Sequence, residues 1–303
     1  AVSAAASMPA TGAMLRNEPM SRHTSWRVGG PAEIYFRPGT RAELLDFLRD
    51  LDPATPVLWV GLGSNLLVRD GGVRGVVIAT AKALGESERL DANRVQAGAG
   101  VPCTALARRC ARWGLGPAEF LAGIPGTVGG ALTMNAGAFG GETWDRIASV
   151  ETVDRAGQVH HRTAADYDIG YRHVQGPEGE WFLSAQFQFE AADGDALDRL
   201  KVMLQQRQDS QPLGEPSCGS VFRNPPGDHA ARLIETAGLK GHSIGGAVVS
   251  DKHANFIINA GDATATDVEA LINYVRDTVA ATHGVRLAPE VHIVGDVIAE
   301  SGA

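Results

Sequence analysis

The sequence has little of what would mark an extracellular, fibrous, membrane-spanning or nucleic-acid-binding protein. Its three cysteines, Cys103, Cys110 and Cys218, are an odd number without CxxC spacing, so neither a disulfide framework nor a zinc site is indicated, and no metal is expected. That usage fits a reducing compartment, and a cytoplasmic location is expected. No run of about eighteen apolar residues is present, which predicts no membrane insertion. Positive charge is in deficit: 27 lysines and arginines against 35 acidic residues give a net charge of −8, the wrong field for general nucleic-acid binding. A repeat of fixed period is missing too. The opening AVSAAASMPATGAM has neither a basic start nor a sustained apolar core, so it does not read as a secretory signal, and residues 1–13 are expected to be a disordered tail.

Glycine is the residue in excess, 37 against 15 prolines and without a collagen period, which points to tight turns and close backbone approaches. The glycines are densest from Phe120 to Glu142, FLAGIPGTVGGALTMNAGAFGGE. This stretch reads as a loop wrapped around a cofactor: Pro125-Gly126 forces a turn, and TVGGA offers a row of N–H groups suited to anionic or carbonyl oxygens. Composition alone would equally allow a tight linker between strands. A second glycine turn, Gly61-Leu62-Gly63-Ser64-Asn65, follows the apolar strand VLWV and has the local shape of a phosphate-binding turn. It is not a Walker A loop, since GKS or GKT is missing, nor a Rossmann fingerprint, since Leu66 stands where the third glycine belongs.

Periodicity divides the chain into three regions with an α+β pattern. Residues 14–85 hold an irregular arm from Met14 to His23, two extended pieces in TSWRVGGPAEIYFRP, a helix capped by a Thr40/Glu43 box, and the strands VLWV and VVIA. Residues 86–195 hold a helix that starts near Pro102 and is stopped by Gly114, the glycine-rich loop, and the strands VETVD, HHR and WFLSAQFQFE. His160 and His161 are adjacent and would face opposite sides of a strand, so they cannot chelate one metal together. Between these strands lies a polar aromatic insertion, Tyr167 to His173, whose Arg172 is either an exposed cation or a fork of donors for a carboxylate. Residues 196–303 hold a helix from Asp198 to Gln208, the short helix AARLIETAG, the strands AVVS and ANFIIN, and a long helix capped by a Thr266/Glu269 box and stopped by Gly284. Arg223, Arg232, Lys240, Lys252 and His253, with Asn224, Asn255 and Asn259, concentrate base and amide there, which suits a phosphorylated or carboxylated small molecule.

Eight segments in order, RVGGPAE, GLGSNLLVRDGG, EFLAGIPGTVGGALTMNAGAFGGE, GYRH, GSVFRNP, AGLKG, VSDKHANFIIN and LAPEVHIVG, closely resemble the UDP-N-acetylenolpyruvoylglucosamine reductases from about Thr24 to Gly295. The short run from Tyr171 to Trp181 matches the compact second type of that family, which lacks the longer branch's substrate loop and its tyrosine. The resemblance implies a two-subdomain FAD-binding unit of the vanillyl-alcohol-oxidase type plus a C-terminal substrate-binding domain with a return strand carrying Glu290. It also implies non-covalent FAD, NADPH as hydride donor, UDP-N-acetylglucosamine enolpyruvate as substrate, and a monomer. Gly61, Gly63, Ser64 and Asn65 would hold the FAD pyrophosphate. Gly123, Ile124, Pro125, Gly126, Thr127, Gly129, Gly130, Asn135 and Gly137 would wrap the rest of it. Phe139 and Cys218 depart from residues common in the family without removing a reacting group.

By the same resemblance, hydride passes from flavin N5 to the substrate β-carbon and leaves an enolate-like intermediate. Arg172 would stabilise that charge, with Glu290 beside it either orienting Arg172 or protonated and donating directly, and Ser220 would protonate the α-carbon. Tyr171, Arg223, Asn224 and Lys252 would hold the UDP-sugar. Outside the resemblance, Ser220 is a turn serine, Arg172 a surface cation and Glu290 a strand-edge carboxylate. Two other readings make different predictions. A flavin oxidase or dehydrogenase of the same fold would not need Ser220 and Glu290 together, and a UDP-sugar sensor would bind ligand without consuming NADPH.

Overall fold

The computed structural model describes residues 12–192 and 194–298. Most of the expected tail lies outside these residues. Contacts group the chain into two units, one made of residues up to 15, 34–61 and 75–207, the other of 16–33, 62–74 and 208 onward. The first expected region is thus threaded through both.

The first unit carries the larger part of two sheets. Strands β1 (Ala13–Pro19), β2 (Pro31–Arg37), β5 (Val73–Ala79) and β3 (Val57–Val60) form a four-stranded sheet in the order β1-β2-β5-β3, with β3 and β5 parallel. Met14 to Pro19 is therefore a strand and not an irregular arm. Its polar run MLRNEP, with Asn17 at φ 50, hid the extended conformation from a hydrophobicity pattern. Helix α1 (Arg41–Asp50) buries Leu44 and Leu48. Thr40 accepts the Glu43 N–H as its cap, whereas the Glu43 carboxylate takes the Gly39 N–H, so only half of the expected box forms.

The second sheet runs β12 (Val159–Arg162), β11 (Ile147–Val153), β15 (Trp181–Gln188), β7 (Arg94–Gly98) and β6 (Ser87–Arg89). The neighbouring strands in it pair antiparallel. Helix α2 (Cys103–Arg112) packs its Leu106, Ala107 and Cys110 into a core shared with Phe187 and Phe189, and Pro102 is its N-cap. Burial raises the Cys103 and Cys110 thiols to about 12, as expected of packing residues. A short pair, β8 (Leu115–Gly116) with β16 (Glu190–Ala191), borders it. Helix α4 (Ala196–Ser210) sends Arg199 to the buried Glu119 at 2.8 Å, anchoring the approach to the glycine-rich stretch.

The second unit is built on α6 (Ala265–His283), whose Val268, Leu271, Ile272, Val275 and Val279 are buried with Leu233 and Ile234 of α5 (Ala230–Thr236). Its capping box is Thr264/Asp267 and not Thr266/Glu269. Thr266 and Glu269 lie within the helix and are bound elsewhere: Thr266 donates to Asp70, and the two Glu269 carboxylate oxygens accept from the Nε–H and Nη2–H of Arg69 at 2.9 Å. A three-stranded sheet, β17 (Ser243–Ile244), β18 (Ala247–Val249) and β19 (Ile257–Asn259), covers α6. Strand β4 (Leu66–Val68) pairs in parallel with β20 (His292–Val294). Trp26, fully buried, donates to the Ile257 carbonyl at 2.7 Å, while Asn259 donates to the Trp26 carbonyl.

Candidate active site

In the first unit the glycine-rich stretch is more ordered than a loop. After a 3-10 turn (Glu119–Gly123), Thr127 caps helix α3 (Val128–Met134), and Asn135 ends it at φ 46. Gly129 and Gly130 are tolerated in this helix because it is fixed from outside: the N–H groups of Val128 and Gly129 donate to the carbonyls of Val101 and Ala99. A Cβ on Gly129 would lie 3.0 Å from that of Ala99. Two of the N–H groups expected to face a ligand therefore face protein, as does that of Gly130, which reaches the Thr127 hydroxyl. Gly61 comes so close to Thr127 that a Cβ there would sit 2.5 Å from its Oγ1. Beyond α3, β9 (Gly137–Ala138) and β10 (Gly141–Glu142) make a hairpin whose central residues, Phe139 and Gly140, both have positive φ. The Phe139 ring lies over Gly123, leaving no room for a side chain.

Arg172 belongs to the same unit. It lies between β13 (Asp168–Gly170) and β14 (His173–Gln175) at φ 51. Its guanidinium donates to the carbonyls of Asn135 at 3.3 Å and Gly137 at 2.9 Å, and it lies 5.2 Å from the centre of the half-exposed Tyr171 ring. The insertion and the glycine-rich stretch, expected only to be neighbours in function, are thus hydrogen-bonded to each other.

Ser220 and Glu290 come together in the second unit. Phe222 bridges to Pro289, and the N–H groups of Glu290 and Arg223 donate to the carbonyls of Val221 at 2.7 Å and Ala288 at 2.9 Å. Ser220 is half-buried beside Gly219, which adopts φ 67. Asn65, expected as a phosphate donor, gives its amide to the Glu290 carbonyl at 3.0 Å, and its own carbonyl takes the His292 N–H. Cys218 lies under the same turn, where burial raises its thiol to about 12. One determinant was legible only as part of a polar group, namely Asn255. This residue is 4% exposed, accepts the Phe222 N–H, donates to the Phe222 carbonyl, and accepts the Val221 N–H on its main chain.

The expected UDP-sugar residues differ in their engagement. Arg223 keeps a buried Nε without a hydrogen-bond partner among the described residues. Burial, with the Arg223 charge second, holds His292 below the usual histidine range. The Asn224 Oδ1 accepts the Ala230 N–H at the start of α5, and the exposed Lys252 donates to the Gln208 carbonyl. An open hollow of about 1050 Å³, lined among others by Pro212, Leu213, Val248 and Lys252, also belongs to this unit. Among the described residues no group of histidine, cysteine or acidic side chains is arranged to hold a metal.

The chain is an FAD-dependent oxidoreductase by the families it matches. Residues 32–163 match the model of an FAD binding domain, and residues 211–294 match that of the UDP-N-acetylenolpyruvoylglucosamine reductase C-terminal domain. UDP-N-acetylenolpyruvoylglucosamine reductase of Alkalilimnicola ehrlichii is 61% identical over 92% of this chain and 94% of its own length. That of Methylococcus capsulatus is 56% identical over 95% of each. The crystal structure of UDP-N-acetylenolpyruvylglucosamine reductase from Thermus caldophilus covers 93% of this chain and 98% of its own at a TM-score of 0.78 and 33% identity. The chain belongs to the UDP-N-acetylenolpyruvoylglucosamine reductase family.

Proposed function

We propose that this chain reduces the enolpyruvyl ether of UDP-N-acetylglucosamine enolpyruvate to UDP-N-acetylmuramate, a step of peptidoglycan precursor synthesis, with FAD bound non-covalently and NADPH as the electron source. The observation that carries the reading is the pairing of the Ser220 and Glu290 segments in a chain of this family, through the Glu290 N–H and the Val221 carbonyl at 2.7 Å. The first unit leaves an open glycine face for a flavin nucleotide at Gly130, where the nearest atom to an added Cβ would be 3.9 Å away, while the Cβ positions of Gly61 and Gly123 are taken by Thr127 and by Ala138 and Phe139. Gly61, Gly63 and Ser64 would meet the pyrophosphate, and the segments Gly123–Thr127, Gly129–Gly130 and Gly137 the remainder. Bound FAD supplies a two-electron carrier that takes hydride from NADPH and delivers it to the substrate.

The side chains then manage charge and proton. Hydride addition at the β-carbon drives electrons toward the substrate carboxylate, where Arg172 supplies a fixed positive charge. Glu290 in its protonated form donates a hydrogen bond to the same developing charge, and Ser220 gives the α-carbon its proton, since an enolate-like carbon is basic enough to take one from a positioned hydroxyl. Arg223 has the buried, unpartnered Nε that suits an anionic group of the UDP-sugar, with Tyr171, Asn224 and Lys252 around the rest. The enzyme would work in the cytoplasm as a monomer.

Mixing the yellow protein anaerobically with NADPH should bleach the flavin band, and UDP-N-acetylglucosamine enolpyruvate should restore it. Ser220→Ala should keep the bleaching and lose the restoration by 10²-fold or more, the scale of a general acid. A flavin that stays reduced after the sugar nucleotide is added would refute the substrate, and rapid restoration in Ser220→Ala would refute the proton donor. Acid precipitation should release all yellow colour into solution. Colour left in the pellet would mean a covalent tether and favour the oxidase reading.

A further inference from the structure

Asn135 was expected to touch the cofactor, but its carboxamide is committed to protein. Nδ2 donates to the Glu142 carboxylate at 2.8 Å and to the Gly170 carbonyl at 3.1 Å, and Oδ1 accepts the Trp144 N–H at 3.0 Å. Those bonds use both N–H donors and the carbonyl oxygen of the amide, in a residue only 2% exposed. Gly170 ends the strand that leads into Arg172. In the other direction, the Arg172 guanidinium donates to the main-chain carbonyls of Asn135 and of Gly137, two residues further on. The ties are therefore reciprocal: the Asn135 side chain holds the base of the Arg172 hairpin, and the Asn135 main chain receives the Arg172 head.

Both residues are in the left-handed region, Asn135 at φ 46 and Arg172 at φ 51. That conformation is unfavourable for a residue with a Cβ, least so for asparagine, and it persists only where surroundings over-determine it. At Asn135 it turns the chain out of α3 and into the hairpin that carries Gly137, so two carbonyls lie within reach of one guanidinium. Leucine or alanine would end the helix at higher strain, and glycine would end it freely but could not reach Gly170.

We infer that Asn135 is a positioning residue that latches the Arg172 hairpin to the glycine-rich stretch and so sets the orientation of the Arg172 guanidinium. The inference rests on the reading of Arg172 as the group that meets the substrate carboxylate. Glu142 completes the latch by accepting from the same Nδ2. An aspartate at position 135 would set a second carboxylate against that of Glu142 and would lose the donor to Gly170.

The test uses holoenzyme carrying Asn135→Gly, Arg172→Ala, or both. Glycine tolerates the left-handed conformation, so the change removes the carboxamide and not the turn. Stopped-flow absorbance separates bleaching by NADPH from restoration by UDP-N-acetylglucosamine enolpyruvate, and hydrogen exchange of peptides spanning residues 168–175 is followed in the apoprotein. Asn135→Gly should slow restoration at least tenfold while bleaching changes less than threefold. It should add less than twofold when Arg172→Ala is already present, because the latch acts through that side chain. Exchange across residues 168–175 should quicken in the apoprotein. Restoration at the parent rate in Asn135→Gly, with Arg172→Ala slow, would overturn the latch alone. An equal slowing with and without Arg172 would also overturn it, as a merely structural effect. Restoration at the parent rate in Arg172→Ala would overturn the role given to Arg172 and the latch with it. If Asn135→Gly yields no holoenzyme, Asn135→Asp, which keeps the shape and the Oδ1 acceptor, is read by the same outcomes.

Discussion

His253 has a use for its unprotonated nitrogen. Its Nδ1 accepts the Asn255 N–H at 3.3 Å, the ring packs edge-on against Phe256, and burial, more than any neighbouring charge, holds it below the usual histidine range. A histidine whose folded pKa is depressed stabilises the fold fully above its unfolded value, near 6.5, and loses that contribution as pH falls from there through the folded value. Asn255 also clamps the segment that follows Ser220. The melting temperature should thus drop between pH 7 and pH 5, and His253→Asn, which cannot be protonated, should flatten that drop while lowering stability at pH 7. An unchanged slope in the variant would show that the acid sensitivity arises elsewhere. Asn255→Ala removes both of the amide's bonds to Phe222, each costing about 1–3 kcal/mol when the partner is left buried, so urea midpoints should fall clearly. The sequence placed Asn255 and His253 in a basic, amide-rich group but not in these roles, because Phe222, the partner that gives Asn255 its role, lies 33 positions away and leaves no trace in local spacing.

At the scale of elements, the long helices and interior strands were legible because their apolar residues recur at the right period, as in α6 with Val268, Leu271, Ile272, Val275 and Val279. Their ends were less so. Two Thr-x-x-acid patterns overlap at the start of α6, Thr264/Asp267 and Thr266/Glu269, and spacing cannot choose between them. The choice falls to Asp70, whose carboxylate takes the N–H groups of Ala265 and Thr266 and fixes the first turn there. Thr264→Ala should destabilise by about 1 kcal/mol, the usual worth of a cap, in denaturant titration. A similar loss from Thr266→Ala with none from Thr264→Ala would reverse the assignment. The glycine-rich stretch misled in the opposite sense: glycine lowers helix propensity, yet α3 forms because Val101, Ala99 and Thr127 bind its first N–H groups. Ser220, Glu290 and Arg172 were named from motifs, but their supports, Asn65, Asn255 and Asn135, are long-range contacts that only the fold supplies.

For the whole molecule, the boundaries between the units fall at five places along the chain. The core of the second unit includes Trp26, Val28 and Leu67 along with the apolar residues of α5 and α6. A fragment beginning at residue 208 would lack those three side chains, strand β4 and the Asp70 that holds α6. It should therefore show little cooperative unfolding by circular dichroism, although a family model covers most of it. A sharp, reversible transition in that fragment would mean that the early segments are dispensable. Among the described residues no helix is long and apolar enough to cross a membrane, in line with the composition.

The parallel pairing of β4 with β20 joins Leu66 to His292. A ribosome makes Leu66 more than two hundred residues before His292, and chains emerge at roughly 5–20 residues per second. Throughout that interval β4 waits without its partner strand, with the apolar Leu66-Leu67-Val68 exposed to whatever else is in the cell. Nascent chains of this protein should be bound by holdase chaperones over that interval and released only once the segment that carries Glu290 has left the exit tunnel.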